Sequence, residues 1–470
     1  MPAGFRIDLD PDAVELELDV WFGGSPSRVM RLTGSGRRAL DELRAGPIRS
    51  RAAGVLARRL TDAGLAHPRP PVFAAEDLTV VIPVYERADA LDGCLAALGP
   101  ESSVVVVDDA SPDGRRIADI AHRHGAKLVR REVNGGPGAA RDTGLEYIHG
   151  EFVAFLDSDC VPPPRWTERL VGHLADPLVG AVAPRITAVV SRTWAGRYTA
   201  AQGSLDLGTR PARVAPGTPV SYVPTAALIV RRAALLELVR NGAVFDPDLR
   251  IGEDVDLIWR LHAAGWRVRY DPSVEVRHRE PATWPALLSR RFRYGTSAAP
   301  LSQRHGAAVA PIVLHPWPAL TVAALLAGRT KLAVGAFAAS VLAMVRTLRR
   351  ANVPTRGVQR AMAGAATRTW LGTGRYGIQF AAPLLVAAAR GGWGRRAAAA
   401  SLLLAPPLDA WRGNRKTLDP ARFTIGWLAD QVCYGAGVWV GCLRQRTTVP
   451  LRPLVAHKPL RIESRTSTGE

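Results

Sequence analysis

The chain has 470 residues, 47% of them hydrophobic, enough for two to four domains at roughly 150 residues each. Its formal net charge is +19, carried almost entirely by Arg; such a basic face attracts anionic lipid or nucleotide diphosphates, or is ordinary surface charge. No aromatic-studded basic motif or zinc-knuckle spacing accompanies it, which argues against nucleic-acid recognition. The four scattered cysteines, Cys94, Cys160, Cys433 and Cys442, exclude a disulfide framework and suit a reducing cytoplasm. Residues 1–8 hold no charged segment followed by an apolar core, so no secretory signal peptide is expected.

Residues 1–70 form a first unit. Residues 14–21 and 27–33 each alternate apolar with polar, as half-buried strands do, around a Phe-Gly-Gly-Ser-Pro turn (22–26). A helix is predicted over 37–45, with Leu40 and Leu43 at helical spacing. A second, over 51–63, puts Val55, Leu56, Leu60 and Ala63 on one face, with Gly64 as a left-handed terminator. His-Pro-Arg-Pro-Pro (67–71) reads as a stiff linker. A hairpin followed by two short helices resembles a winged-helix module, similar to the peptide-recognition domains of the PqqD type. That resemblance implies capture of a precursor peptide by strand addition at an open edge; the alternative is a lid packed on the next domain.

Residues 76–300 alternate strands with helices, which predicts a mostly parallel sheet. Leu-Thr-Val-Val-Ile-Pro-Val-Tyr (78–85) is a buried-type strand that ends at Pro83 and Tyr85. A helix follows over 88–98, then a strand over 104–111 that closes on Asp108 and Asp109. Residues 134–144 make a glycine-rich turn into a helix, whose backbone N–H groups suit an anion. Phe-Val-Ala-Phe-Leu (152–156) runs into Asp157, Ser158 and Asp159, two carboxylates at the carboxyl end of a strand. Open α/β sheets bind ligands at that rim, and the pair suits a divalent cation, Mg²⁺ or Mn²⁺, shared with a diphosphate. The Asp-x-Asp pattern also occurs at 8–10, 10–12, 246–248 and 254–256, so it carries weight only in this company. Residues 252–256 start a helix with Val255, Ile258 and Leu261 on one face. Asp254 falls in its first turn, where the helix dipole is expected to keep it ionised at some cost in basicity.

At this point the chain resembles the family 2 glycosyltransferases of the GT-A fold. The matching pieces, in the family's order, are Val-Val-Ile-Pro-Val-Tyr (80–85), Val-Val-Asp-Asp-Ala-Ser (106–111), Gly-Pro-Gly-Ala-Ala-Arg (136–141), Asp157-Ser158-Asp159 and Gly-Glu-Asp-Val-Asp-Leu (252–257). The resemblance implies an inverting enzyme that takes a hexose from a nucleotide diphosphosugar. It places Pro83, Tyr85, Asp108, Asp109 and Ser158 with the donor, although Asp108 also suits helix capping. Arg141 would stabilise the donor or pair with Asp108 or Asp157. The metal would rest on Asp157 and Asp159, with His278 as a third ligand, a contact to the diphosphate or an ordinary surface His. Asp254 would be the base, with Glu253 orienting it or touching the acceptor. Arg293 and Tyr294, at the end of Arg-Arg-Phe-Arg-Tyr (290–294), take the place of a basic-aromatic segment that grips the diphosphate. The whole chain is similar to a narrower group, the glycosyltransferases of mycofactocin biosynthesis. That implies UDP-glucose and a peptide-derived acceptor or its precursor peptide. The alternative is a membrane enzyme acting on a lipid or cell-wall polysaccharide.

Residues 301–460 are rich in Ala, Leu and Val. Apolar runs at 307–328, 332–345, 376–389 and 424–443 are short, proline-broken or interrupted by Asp430 and Gln431, and every flank is basic. Helices lying on the cytoplasmic face of the cell membrane are expected, ahead of marginal spans. A polar tail without structure is expected over 462–470.

Overall fold

The computed structural model describes residues 1–73, 77–414 and 417–456, and the backbone of 461–463. Its centre is a nine-stranded sheet. Leu78–Val84, Ser103–Asp108, Lys127–Arg130 and Phe152–Leu156 pair in parallel, and the last lies on the far side of the first. The strand order therefore reverses between Leu78–Val84 and Phe152–Leu156, which makes the crevice at their carboxyl ends the switch point where such sheets bind ligands. Val81 pairs with Phe155, and pairing stops there; Pro83, two residues on, has no N–H to continue it. The sheet then adds Ala227–Arg231 and Val179–Ala188 antiparallel, Arg267–His278 parallel to the latter, and short Cys160–Val161. The strands read as unbroken Val, Ile and Phe runs because two apolar clusters bury both faces. The Pro137–Leu145 helix lies against this sheet so closely that a Cβ at Gly144 would stand 2.5 Å from Val81 Cγ1.

The N-terminal unit forms, with three departures from expectation. The run 14–21 is not one strand: it turns at Leu18-Asp19, where Asp19 has φ 67°, into the hairpin Val14–Glu17 and Val20–Gly23. The helices are Gly34–Ala45 and Arg51–Ala63, the second closed by left-handed Gly64. The expected linker is a strand instead: Ala66–Arg69 pairs antiparallel with Arg6–Leu9. Alternation of apolar and polar is lacking there, so only the distant partner reveals it. The unit docks through a two-bond Arg58–Asp176 pair and through Asp62, which accepts from Arg267 at 2.7 Å twice. The third departure lies at the far end of the chain: Arg461–Glu463 pairs in parallel with Arg28–Arg31, so that edge is taken. The Val14–Glu17 strand is the other edge. Residues 464–470 of the expected tail lie outside the described residues.

The apolar run 307–328 is no single helix. Pro316 starts an eleven-residue helix, Pro316–Leu326, after a short Val313–Leu314 strand. Run 376–389 breaks between Val358–Phe380 and Ala382–Ala388. One described helix, Thr330–Arg350, is long and apolar enough to cross a membrane, with a mean hydropathy of 1.5. Its last turns pack Val341, Met344, Val345 and Leu348 against Val20 and Val29 of the N-terminal hairpin. Pro420–Arg444 is the inner helix of the region, with Phe423 and Trp427 fully buried. It crosses Trp284–Thr296 at backbone contact: a Cβ at Gly437 would meet the Phe292 carbonyl oxygen at 2.0 Å, and one at Gly295 would meet that of Tyr434 at 2.2 Å. No flexible side chain can yield there. Gly437→Ala is therefore expected to lower stability by about 1–3 kcal/mol, read as a reduced midpoint in urea unfolding; an unchanged midpoint would show that the helices separate freely.

Candidate active site

The all-apolar Phe152–Leu156 strand delivers Asp157 to the switch-point rim, and the chain then turns so that Cys160 N–H donates to the Asp157 carbonyl at 3.0 Å. The short strand that follows pairs Cys160 with His278. That register sets His278 Nε2 3.1 Å from Asp159 Oδ1, while Nδ1 lies 3.1 Å from Glu280 Oε1. Arg87 pairs with Asp159 and Arg290 with Glu280. Burial pushes the Asp159 carboxyl up, but the His278 hydrogen bond and the charges of His278 and Arg87 outweigh it and hold the group below its ordinary value.

Asp159, Cys160 and His278 bring their ligand atoms within 4.8 Å of one another, all buried. Burial holds the Cys160 thiol well above its ordinary value, and its Sγ donates to the Ala226 carbonyl at 3.3 Å. Hard cations such as Mg²⁺ and Mn²⁺ take oxygen and nitrogen ligands in preference to sulfur. The carboxylate and the imidazole are left as a fitting pair for a divalent cation, with Glu280 fixing the ring from its far nitrogen. Asp157, expected to share that ion, stands outside the cluster.

Asp157 is instead tied to the helix that carries the expected base. Arg141, 2% exposed, donates from Nη2 to Asp157 Oδ1 at 2.7 Å and from Nη1 to Glu253 Oε1 at 3.0 Å. One guanidinium thus joins a strand end to the first turn of Glu253–Ala263. Left-handed Gly252, with φ 85°, starts that helix. Asp254 beside it lies deep but keeps part of its surface open. Burial first, then the neighbouring Glu253 charge, push its carboxyl up to about 7, against the lowering effect of the Val255 N–H and Arg141. The dipole was expected to hold Asp254 strongly ionised; desolvation and a like charge prevail instead. Burial likewise raises Glu253, only partly offset by Arg141. Asp157 is among the charges that Asp254 feels, so the acids form one electrostatic cluster.

The donor residues divide. Tyr85 is 43% exposed at the open rim, and Pro83 is buried within the strand behind it. Ser158 is buried between the two acids. Asp108 is a correction: it is fully buried, its Oδ1 caps Ser111 N–H at 2.9 Å and its Oδ2 pairs with Arg130. Asp109 accepts from the Gly135 and Gly136 N–H groups at 3.0 and 2.7 Å and pairs with Arg131. Asp109 shapes the glycine-rich turn and Asp108 closes the turn after its own strand, leaving Tyr85 as the exposed member of the expected donor set. Arg293 is a second correction, being exposed. Arg290 and Tyr294, one turn apart, share the inner face, with the guanidinium 5.8 Å from the ring centre. The hydroxyl of Tyr294 feels Arg290, Asp254 and Asp157 after burial itself, all of which place it at the acidic cluster. The helix period alone could have chosen Arg290 over Arg293. Arg87 and Glu280 carry no motif and were visible only through pairing.

The family model for glycosyl transferase family 2 matches residues 79–237. The chain is 37% identical over 482 residues to the pre-mycofactocin glycosyltransferase of Mycobacterium tuberculosis, covering 97% of this chain and 98% of that protein. Glycosyltransferase AglE of Haloferax volcanii is 30% identical over 230 residues, 46% of this chain and 71% of its own. Among solved structures, a mannosyltransferase of Pyrobaculum calidifontis overlays on 80% of this chain and 89% of its own at 21% identity and a TM-score of 0.44. With a relative matched from end to end at this identity, and the family's acids gathered at one sheet rim, the chain belongs to the family 2 glycosyltransferases.

Proposed function

We infer that this protein is an inverting hexosyltransferase that moves glucose from UDP-glucose onto a peptide-derived precursor of mycofactocin. The observation that carries the reading is Asp254: a carboxyl pushed up to about 7, next to Glu253, which Arg141 ties to Asp157 at the sheet rim. A base near neutrality both ionises and accepts a proton at working pH. The acceptor hydroxyl gives its proton to Asp254 as its oxygen bonds to the anomeric carbon, and the bond to the diphosphate breaks on the opposite face. Arg290 and Arg87, held by Glu280 and Asp159, would supply positive charge to the departing diphosphate. A divalent cation on Asp159 and His278 would supply Lewis-acid assistance to the leaving group. The end-to-end likeness to the pre-mycofactocin enzyme supports the acceptor class.

The N-terminal unit would present the Val14–Glu17 edge to a precursor peptide. The C-terminal helices expose Trp317, Leu320, Leu325, Val334, Leu384 and Trp393 among basic residues. Those exposed apolar side chains support attachment at the cytoplasmic face of the membrane. They also favour the second reading, a glycosyltransferase with a lipid or polysaccharide acceptor.

A panel of UDP- and GDP-sugars with Mn²⁺ or Mg²⁺ tests the reading by mass of the product. One hexose added from UDP-glucose, lost with chelator and restored by metal, is expected. Transfer that survives chelation would remove the cation from the mechanism, and no transfer from any donor would remove the function.

A further inference from the structure

Acidic residues vanish from one long stretch of this chain while basic ones do not. From residue 281 to residue 408 there are sixteen Arg and Lys, at about the density of the whole chain, and no Asp or Glu. At the overall share of acids, 42 in 470 residues, about eleven would be expected there. The stretch thus supplies +16 of the formal +19 and leaves the rest nearly neutral. A bias toward Arg adds bases without removing acids, and an apolar segment would lose both. Arg290, Arg291 and Arg304 reach acids elsewhere in the fold. None of the twelve basic residues from Arg329 to Arg396 pairs with a carboxylate among the described residues.

Two helix turns combine these charges with apolar side chains left in water. At the start of Thr330–Arg350, Arg329 and Lys331 are exposed beside Leu332 and Val334, the latter 69% exposed. At the start of Trp393–Arg412, Arg395 and Arg396 are exposed beside Trp393, itself 85% exposed. An indole in that position suits the boundary between headgroups and acyl chains, with the guanidinium groups against phosphate. A nucleic acid would take the charges but leave Leu332 and Val334 uncovered. Thr330–Arg350 does not reach across a bilayer from there, because Val341 to Leu348 pack on the N-terminal hairpin. Residues 330–340 rise only about 16 Å, against a hydrocarbon core of about 30 Å. We propose that these two turns dock on a bilayer surface of anionic phospholipid and hold the protein there without a span. The proposal rests on the membrane attachment read above and names its lipid.

Sedimentation of the full chain with vesicles tests it, using phosphatidylcholine alone and phosphatidylcholine with about one-third phosphatidylglycerol. Partitioning is expected to be at least tenfold stronger on the anionic vesicles and to fall as salt rises. Arg329→Gln with Lys331→Gln, and Arg395→Gln with Arg396→Gln, should each weaken it by about tenfold or more, since a charge near the surface is worth about fivefold. The use of two separate turns guards against one misfolded variant. Arg38→Gln with Arg115→Gln removes as much charge from exposed positions in the N-terminal unit and the catalytic domain, and should leave partitioning within about twofold. Equal binding to both vesicle types, or an equal loss in that control, overturns the proposal and leaves attachment itself standing. Binding to neither vesicle overturns attachment. Tighter binding, per phosphate, to an RNA oligomer than to the anionic vesicles gives the charges to nucleic acid and overturns the proposal as well.

Discussion

Asp254→Asn is expected to lower kcat for sugar transfer by about 10²–10⁴-fold, the usual contribution of a general base, while making the folded protein more stable at pH 8. The two effects have one cause. The carboxyl titrates at about 7 in the folded chain, against roughly 4 when unfolded. Between those values the folded state holds a proton that the unfolded state has released, so stability falls as pH rises through the window. Asn carries no charge and escapes that loss. The gain at pH 8 should be about 1–3 kcal/mol, and it should vanish below pH 4. Activity runs the other way: kcat/KM of the wild-type enzyme should rise with pH through about 7 as the carboxylate forms. Urea unfolding at pH 4 and 8, set beside the pH–rate profile, checks both. A variant that transfers at the wild-type rate would remove Asp254 from the mechanism, and one equally destabilised at both pH values would make its burial merely structural.

The sequence carried the parallel half of the fold because its signal is local. Val and Ile runs such as 80–82 and 104–107 suit strands buried on both faces, and Gly64 and Gly252 mark helix boundaries through backbone freedom. That Asp159 and His278 could lie together, and that Asp254 starts a helix, was legible from motif and order. What stayed hidden depends on partners far along the chain. Nothing near His67 announces that Ala66–Arg69 pairs with Arg6–Leu9. Nothing near Asp108 announces that Arg130, on the adjacent strand, closes over it. The sign of the Asp254 shift was missed for the same reason. A helix start is visible in sequence, whereas the walls that dry it and the orientation of Glu253 are not.

Arg141→Met should be the most damaging single change outside the base. The guanidinium is 2% exposed and both its terminal nitrogens are taken by acids from different elements, Asp157 and Glu253. Met fills the volume and leaves two carboxylates facing each other without a counter-charge. Removing one partner of a buried pair costs about 3–5 kcal/mol, because the stranded charge has no water to turn to. The loss has a pH signature. As pH falls, Glu253, already raised by burial, takes up a proton and part of the stability returns. Arg141 also lowers the Asp254 titration, so the activity limb of any folded Arg141→Met enzyme should move to higher pH. Adding Glu253→Gln should restore about half of the lost stability, since one stranded charge disappears with it. Denaturant unfolding of the single and double variants at both pH values decides the matter. If Arg141→Met unfolds at the wild-type midpoint at pH 8, the bridge holds nothing together and the coupling between donor rim and base must come from elsewhere.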